Sequence, residues 1–312
     1  MTSNYLKSLK NIAELAPLRL TLALAGLRLD VALHGPAAPY LEADLRALAA
    51  GFVVSGKGKA DLTCRVYYDH GRIYGRRFPG QPLLVRPADS PLAADIARRL
   101  AGLGVPLPAP PEAMTGFLNG CLLRDEGCGE GLIYLFYSRR AIHFPATLWK
   151  LLFVFASLAM VPRGRLMVHG AGVKRGRRGY LFLGASGAGK STVCALSGDG
   201  VVFSDDATIV EVRDGCCRIH PTPFRQVGTA SQRRQARLAE ILFLHRDGGL
   251  RLQRRPERLA FAELLGVHLH AFAVMDGTLR KEAFHLCRRA CAVTRAHDLF
   301  FTKDPRFWAL LR

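Results

Sequence analysis

Residues 179–192 read GYLFLGASGAGKST, an apolar run entering a string of small residues that closes on Lys-Ser-Thr. Gly184, Ala185, Ser186, Gly187, Ala188, Gly189, Lys190 and Ser191 satisfy the pattern G-x-x-x-x-G-K-[ST], and Thr192 follows directly. Small side chains let the main chain turn tightly, so that successive N–H groups point into one hollow and hold phosphate oxygens. A lysine in that hollow supplies a compact charge for the β- and γ-phosphates, and the Ser191 hydroxyl suits Mg²⁺. The spacing predicts a phosphate-binding loop, with a strand before it and a helix beginning in STVCAL after it.

Two further groups belong to the same chemistry. VVFSDDATIV, residues 201–210, reads as an apolar strand that delivers the adjacent carboxylates Asp205 and Asp206. One carboxylate near Mg²⁺ is the usual companion of such a loop, and a second can take a proton from an attacking hydroxyl. His169 interrupts LMVHGAGV, which otherwise reads as an ordinary strand just upstream of the loop. Elsewhere, VHLHAF places His268 and His270 on one side of an expected strand, where a metal pair could sit, but without a third ligand at useful spacing the pair is not read as a metal site. Arg225 is a further charge that could face a phosphate.

The order VHGAGV, LFLGASGAGKST, FSDDATIV resembles the C-terminal kinase domain of the HPr serine kinase/phosphorylase family, which shares its P-loop core with ATP-dependent phosphoenolpyruvate carboxykinase. AEILFLHRDGG and the ending AHDLFFTKDPRFWALL are similar to a subgroup of HPr-kinase-related proteins, some associated with modified-peptide biosynthesis. The resemblance covers roughly residues 145–312. It implies that Lys190 and the loop amides hold ATP, that Ser191 and one aspartate hold Mg²⁺ while the other aspartate acts as base, and that His169 lies near the terminal phosphate or metal; of the two orders, Asp205 as base and Asp206 as metal partner is the one favoured here. The family's glycine-rich signature loop, which engages HPr, has no counterpart. HPTPFRQVG, residues 220–228, occupies part of that region without matching it, so neither HPr nor the phosphorylase activity carries across. The expectation is an ATP-dependent kinase acting on a hydroxyl of a peptide, protein or small-molecule acceptor. The alternative is a nucleotide-binding regulatory or scaffold protein with little phosphotransfer. A carboxykinase-like enzyme is the weakest reading, because no oxaloacetate site is recognisable.

These groups need a framework to position them. The expected fold class is α/β: a P-loop kinase domain with a mixed sheet over residues 146–312, preceded by a smaller α+β domain over residues 1–145. By elimination, the N-terminal domain is assigned substrate recognition. Alternating apolar residues from Leu18 to Leu33 suggest one bent strand or two short ones. Leu41, Leu45 and Leu48 sit at helical spacing, and a second helix is predicted after the capping Ser90, with Leu92, Ile96 and Leu100 as its stripe. ADLTCRVYYD reads as a strand, PLPAPPEAM as a loop, and GLIYLFYSRRAIHF as strands that could pair in a hairpin. LLFVFASLAMV, residues 151–161, falls short of the roughly 20 residues of a membrane span and reads as a buried helix.

The 312 residues are 49% hydrophobic and 22% charged, a balance that allows a real core and argues against disorder. The formal charge of +19 comes mostly from arginine, clustered at residues 139–140, 174–178, 233–237, 254–258 and 288–289. Such a field attracts polyanions. The clusters do not interleave with aromatics, so nucleic acid is not indicated despite the basic surface. Eight cysteines form no CxxC pair; Cys287 and Cys291 share an expected helical face, and reduced thiols in the cytoplasm are the default. Self-association into a homo-oligomer is compatible with all of this.

Overall fold

The computed structural model describes residues 16–55, 58–102, 106–108, 114–138, 144–225, 234–246 and 249–311. Expectations placed on residues 56–57, 109–113, 139–143, 226–233 and 247–248 lie outside the described residues. The fold is mixed α/β, with two mixed sheets. Apart from the hairpin turn at Leu24–Gly26, the chain divides into two compact units of comparable length, one ending at Ala159 and the other beginning at Met160. Residue 145, near which the boundary is expected, lies at the start of the helix Phe144–Met160, whereas the division comes at that helix's other end.

In the first unit, β1 (Leu18–Leu24) and β2 (Leu27–His34) are two strands rather than one, separated by a turn. Ala25 and Gly26 both adopt positive φ there, 50° and 85°, the combination a tight two-residue hairpin needs. Helix α1 (Ala38–Leu48) buries Leu41 and Leu45, whereas Leu48 is exposed, so the expected stripe is one residue shorter. β3 (Leu62–Tyr74), β4 (Leu83–Val85), helix α2 (Pro91–Gly102), β5 (Met114–Phe117), β6 (Gly120–Arg124) and β7 (Glu130–Ser138) follow. The sheet order is β1-β2-β3-β7-β6-β5-β4, with β3 parallel to both β2 and β7. β7 pairs in a hairpin with β6, which precedes it; the second strand expected over SRRAIHF falls mostly outside the described residues.

Sequence chemistry explains the packing. Ser90 caps α2 by accepting from the Ala93 amide at 3.3 Å, and Leu92, Ile96 and Leu100 pack on Leu132, Tyr134 and Phe136. Helix α3 (Phe144–Met160) covers the alternate residues, since a Cβ at Gly131 would lie 2.8 Å from the Phe155 ring. With both faces covered, β7 can be apolar throughout. The stretch Pro145–Arg163 is long and apolar enough by composition to cross a membrane, but 72% of it is buried within the protein. A helix that is hydrophobic all round is one that has no solvent face.

The second unit contains β8 (Arg165–His169), β9 (Ala171–Arg175), β10 (Arg178–Leu183), helix α4 (Lys190–Ala195), β11 (Val201–Ser204), β12 (Ala207–Arg213), β13 (Cys216–His220), β14 (Ala236–His245), β15 (Arg251–Arg254), helix α5 (Glu257–Glu263), helix α6 (Gly277–Val293) and β16 (Arg295–Phe300). Its sheet runs β11-β9-β10-β14-β13-β12-β8, with β16 also beside β14 and β15 on its far side. β10, β14 and β16 are parallel, so their C-terminal ends lie together. One face carries Tyr180, Phe182, Leu242, Leu244 and Leu299 against Val193, Phe307 and Trp308. Cys287 and Cys291 are buried on α6, and the eight cysteines are free thiols.

Candidate functional site

The small-residue loop joins the end of β10 to α4, the place where a chain leaving a central parallel strand turns into a helix. Gly189 sits at φ +115°, and a Cβ there would lie 2.7 Å from the Phe301 ring. Only glycine meets both demands. Gly187 has a positive φ as well. The Ala188 amide donates to the Ala185 carbonyl at 3.0 Å, which tightens the loop. Among the described residues, no main-chain carbonyl accepts from the amides of Ser186, Gly187 or Gly189. No side chain caps the helix that follows.

Lys190 folds back over the loop. Its Nζ donates to the Gly184 carbonyl at 2.7 Å and to that of Ala185 at 3.3 Å. Burial lowers its pKa, with the charge of Asp206 pulling the other way. Among the described residues its hydrogen bonds are thus to peptide carbonyls, a weaker partner set than an anion would provide.

The expected strand around the two aspartates is two strands, β11 and β12, with Asp205 and Asp206 in the bend between them. Ser204 holds that bend: its Oγ accepts from the amides of Asp206 and Ala207 at 3.2 and 3.0 Å. β12 runs antiparallel to β8, pairing Ala207 with His169, and the Gly170 amide donates to the Asp206 carbonyl at 2.9 Å. This pairing carries His169 Nδ1 to 3.0 Å from Asp206 Oδ1. Asp205 is buried and Asp206 half-exposed.

One pocket of about 330 Å³ collects these groups. His169, Ser186, Gly187, Gly189, Lys190, Ser191, Thr192, Asp205 and Asp206 all line it. Gly184, Ala185 and Ala188 do not; they shape the loop from behind. Arg225 is also outside the lining: burial lowers its pKa, and the charge of Asp205 partly restores it.

Arg246 lines the pocket too, and sequence reasoning gave it no role. It follows β14 immediately and donates to Thr192 Oγ1 at 3.5 Å. A second pocket of about 200 Å³ shares Thr192 and Arg246 and adds Phe301, Thr302 and Lys303. The signal that could have found it is topological. In α/β sheets ligands sit beyond the C-terminal ends of parallel strands, and the loop, Arg246 and Phe301 each follow one such end. Recognising it requires knowing that β14 and β16 lie beside β10.

The His268–His270 expectation needs correction. His268 closes a π-turn (Leu264–His268), and its neighbour Leu269 makes one isolated bridge to Val168, so no strand is formed. His268 faces the His169 ring at 6.4 Å between centroids and His270 meets it edge-on at 5.3 Å. Burial lowers the pKa of His268, against a pull from Glu263. Among the described residues, no group of three His, Cys, Asp or Glu side chains could hold a metal ion. His169 lines the pocket, and the imidazoles of His268 and His270 pack against it. Comparison with known families finds no matching family model, and comparison with the curated proteins finds no similar sequence.

Proposed function

We propose that the protein is an ATP-dependent kinase, active in the cytoplasm, that transfers phosphate to a hydroxyl of a peptide, protein or small-molecule acceptor. The observation that carries this reading is the convergence of Lys190, Ser191, Asp205, Asp206 and His169 on one pocket. The resemblance to HPr-kinase-like P-loop proteins supports it, since the same motifs appear in the same order.

In this reading Lys190 exchanges its loop carbonyls for phosphate oxygens, and the unpaired loop amides hold the rest of the triphosphate. The donor set fits Mg²⁺, which takes oxygen ligands from one or two carboxylates together with substrate phosphates. Ser191 and Asp206 would hold it, and when bound it neutralises charge on the phosphate oxygens. Asp205 acts as the base that takes the acceptor's proton, in a buried setting where a directed carboxylate is strengthened. His169 orients Asp206 through their contact. Catalysis is then mainly positioning and charge neutralisation.

Incubation with Mg²⁺, γ-labelled ATP and hydroxyl acceptors encoded near its gene tests the proposal. Acceptor-dependent ADP formation is expected, lost in both Lys190→Ala and Asp205→Asn. Nucleotide binding without transfer to any acceptor, unchanged by Asp205→Asn, would favour the regulatory alternative.

A further inference from the structure

At the opposite end of the parallel strands from the loop, the sheet carries an arginine row. The register sets Arg178 of β10 opposite Arg237 of β14, and Arg237 opposite Arg218 of β13. On the other side of β10, Arg175 of β9 stands opposite Arg178. Four adjacent strands therefore present arginine side by side on one face. Further along β14, Arg295 of β16 is opposite Glu240, and Arg254 of β15 is opposite His297. Because β14 bulges between Leu238 and Glu240, Glu240 returns to the face of Arg237, so Arg295 and Arg254 share the row's face, about 10 Å along β14 from Arg237. These two line a pocket of about 710 Å³.

Folding gives no reason for this arrangement. Like charges directly opposite on neighbouring strands are destabilising. Among the described residues, Arg178, Arg237, Arg254 and Arg295 make no ion pair. Arg175 lies 3.5 Å from the exposed Asp199, and Arg218 donates to Gln235. Glu240 on this face is buried and lies 3.0 Å from His297 Nδ1, while the exposed Glu257 lines the pocket beside Arg254, Arg255 and Arg295 and leaves it net positive. Arg178, Arg237, Arg254 and Arg295 are exposed.

We infer that this row and pocket dock an acidic peptide segment of a partner protein. Its chemistry is uniform: every cation in it is a guanidinium, the planar fork that engages carboxylates two hydrogen bonds at a time. A single-stranded nucleic acid would need exposed rings for its bases, and the indole the row touches, Trp308 beneath Arg175, is buried. The inference goes beyond the nucleotide reading and does not require it.

Fluorescence anisotropy of fluorescein-labelled decaglutamate on the full chain, without nucleotide, tests this. Arg178→Gln, Arg237→Gln and Arg295→Gln together should weaken binding at least about tenfold, the scale of arginine anchors at interfaces. An equal charge removal elsewhere, at the exposed Arg76→Gln, Arg77→Gln and Arg86→Gln, should change it less than about twofold. Lys190→Ala should leave peptide binding intact, which separates this surface from the nucleotide site. The thermal midpoint of the row variant should hold or rise, because like-charge contacts are relieved. Equal losses in the two triple variants, or no binding of decaglutamate, would overturn the inference. Tighter binding of a labelled thymidine decanucleotide through the same arginines would overturn the peptide assignment in favour of nucleic acid.

Discussion

His169 Nδ1 lies 3.0 Å from Asp206 Oδ1, joining the end of β8 to the bend before β12. The contact follows from strand pairing: β8 and β12 are antiparallel neighbours, and the Gly170 amide is hydrogen-bonded to the Asp206 carbonyl. Two motifs far apart in the chain thereby become one constellation with Lys190. Gly170 allows the approach, since a Cβ there would stand 2.5 Å from Leu183 and 3.0 Å from the Phe182 carbonyl.

The two carboxylates should separate by role. Under the proposed kinase reading Asp205→Asn removes the base, and phosphotransfer should fall by about 10²–10⁴-fold while Mg·ATP still binds. Asp206→Asn should instead lessen the dependence of nucleotide affinity on Mg²⁺. Rapid-quench transfer assays beside titrations with and without Mg²⁺ read both. Equal effects of the two variants on both readouts would refute the division.

Arg246→Ala should weaken nucleotide binding about tenfold, the value of one charge-assisted contact. The chemical step should change less, because Arg246 reaches the pocket from the side of Thr192 and Phe301. A single-turnover measurement at saturating ATP distinguishes these effects. An unchanged affinity would remove Arg246 from the site.

Gly189→Ala should destabilise the second unit by about 1–3 kcal/mol, since alanine must hold a positive φ and its methyl would press on Phe301. Chemical denaturation followed by tryptophan fluorescence measures it, with Trp308 in the affected core. Stability equal to that of the unmodified chain would show that the loop relaxes to another conformation.

Acid should weaken the fold partly through His268. Burial holds its pKa below the ordinary 6.5, despite Glu263. In the unfolded chain the same imidazole takes up its proton first as pH falls. Its contribution to stability is therefore intact above about 6.5 and is lost as pH drops through the lower folded value. The thermal midpoint should decline from about pH 7 to about pH 5, and His268→Gln should make that decline shallower. An identical slope in the variant would contradict the assignment.

The loop between β10 and α4 was legible in the sequence because its conformation is local: a run of small residues closing on one lysine defines it without tertiary help. Ser90 and the stripe of α2 were legible for the same reason. The split at Asp205-Asp206 was not, since an apolar run with two carboxylates gives no sign that Ser204 turns the chain. Arg246 was invisible because its importance comes from β14 lying parallel to β10, a long-range pairing. The histidine cluster failed as a strand because a π-turn and a single bridge to Val168 replaced the alternation the spacing suggested.

Calorimetric titration of Mg·ATP into the full chain, beside Lys190→Ala, tests the central claim most directly. The account predicts one site per chain with micromolar affinity and at least about a hundredfold loss in the variant, or about 2.7 kcal/mol. No binding by the unmodified protein, or equal affinity in the two, would contradict it.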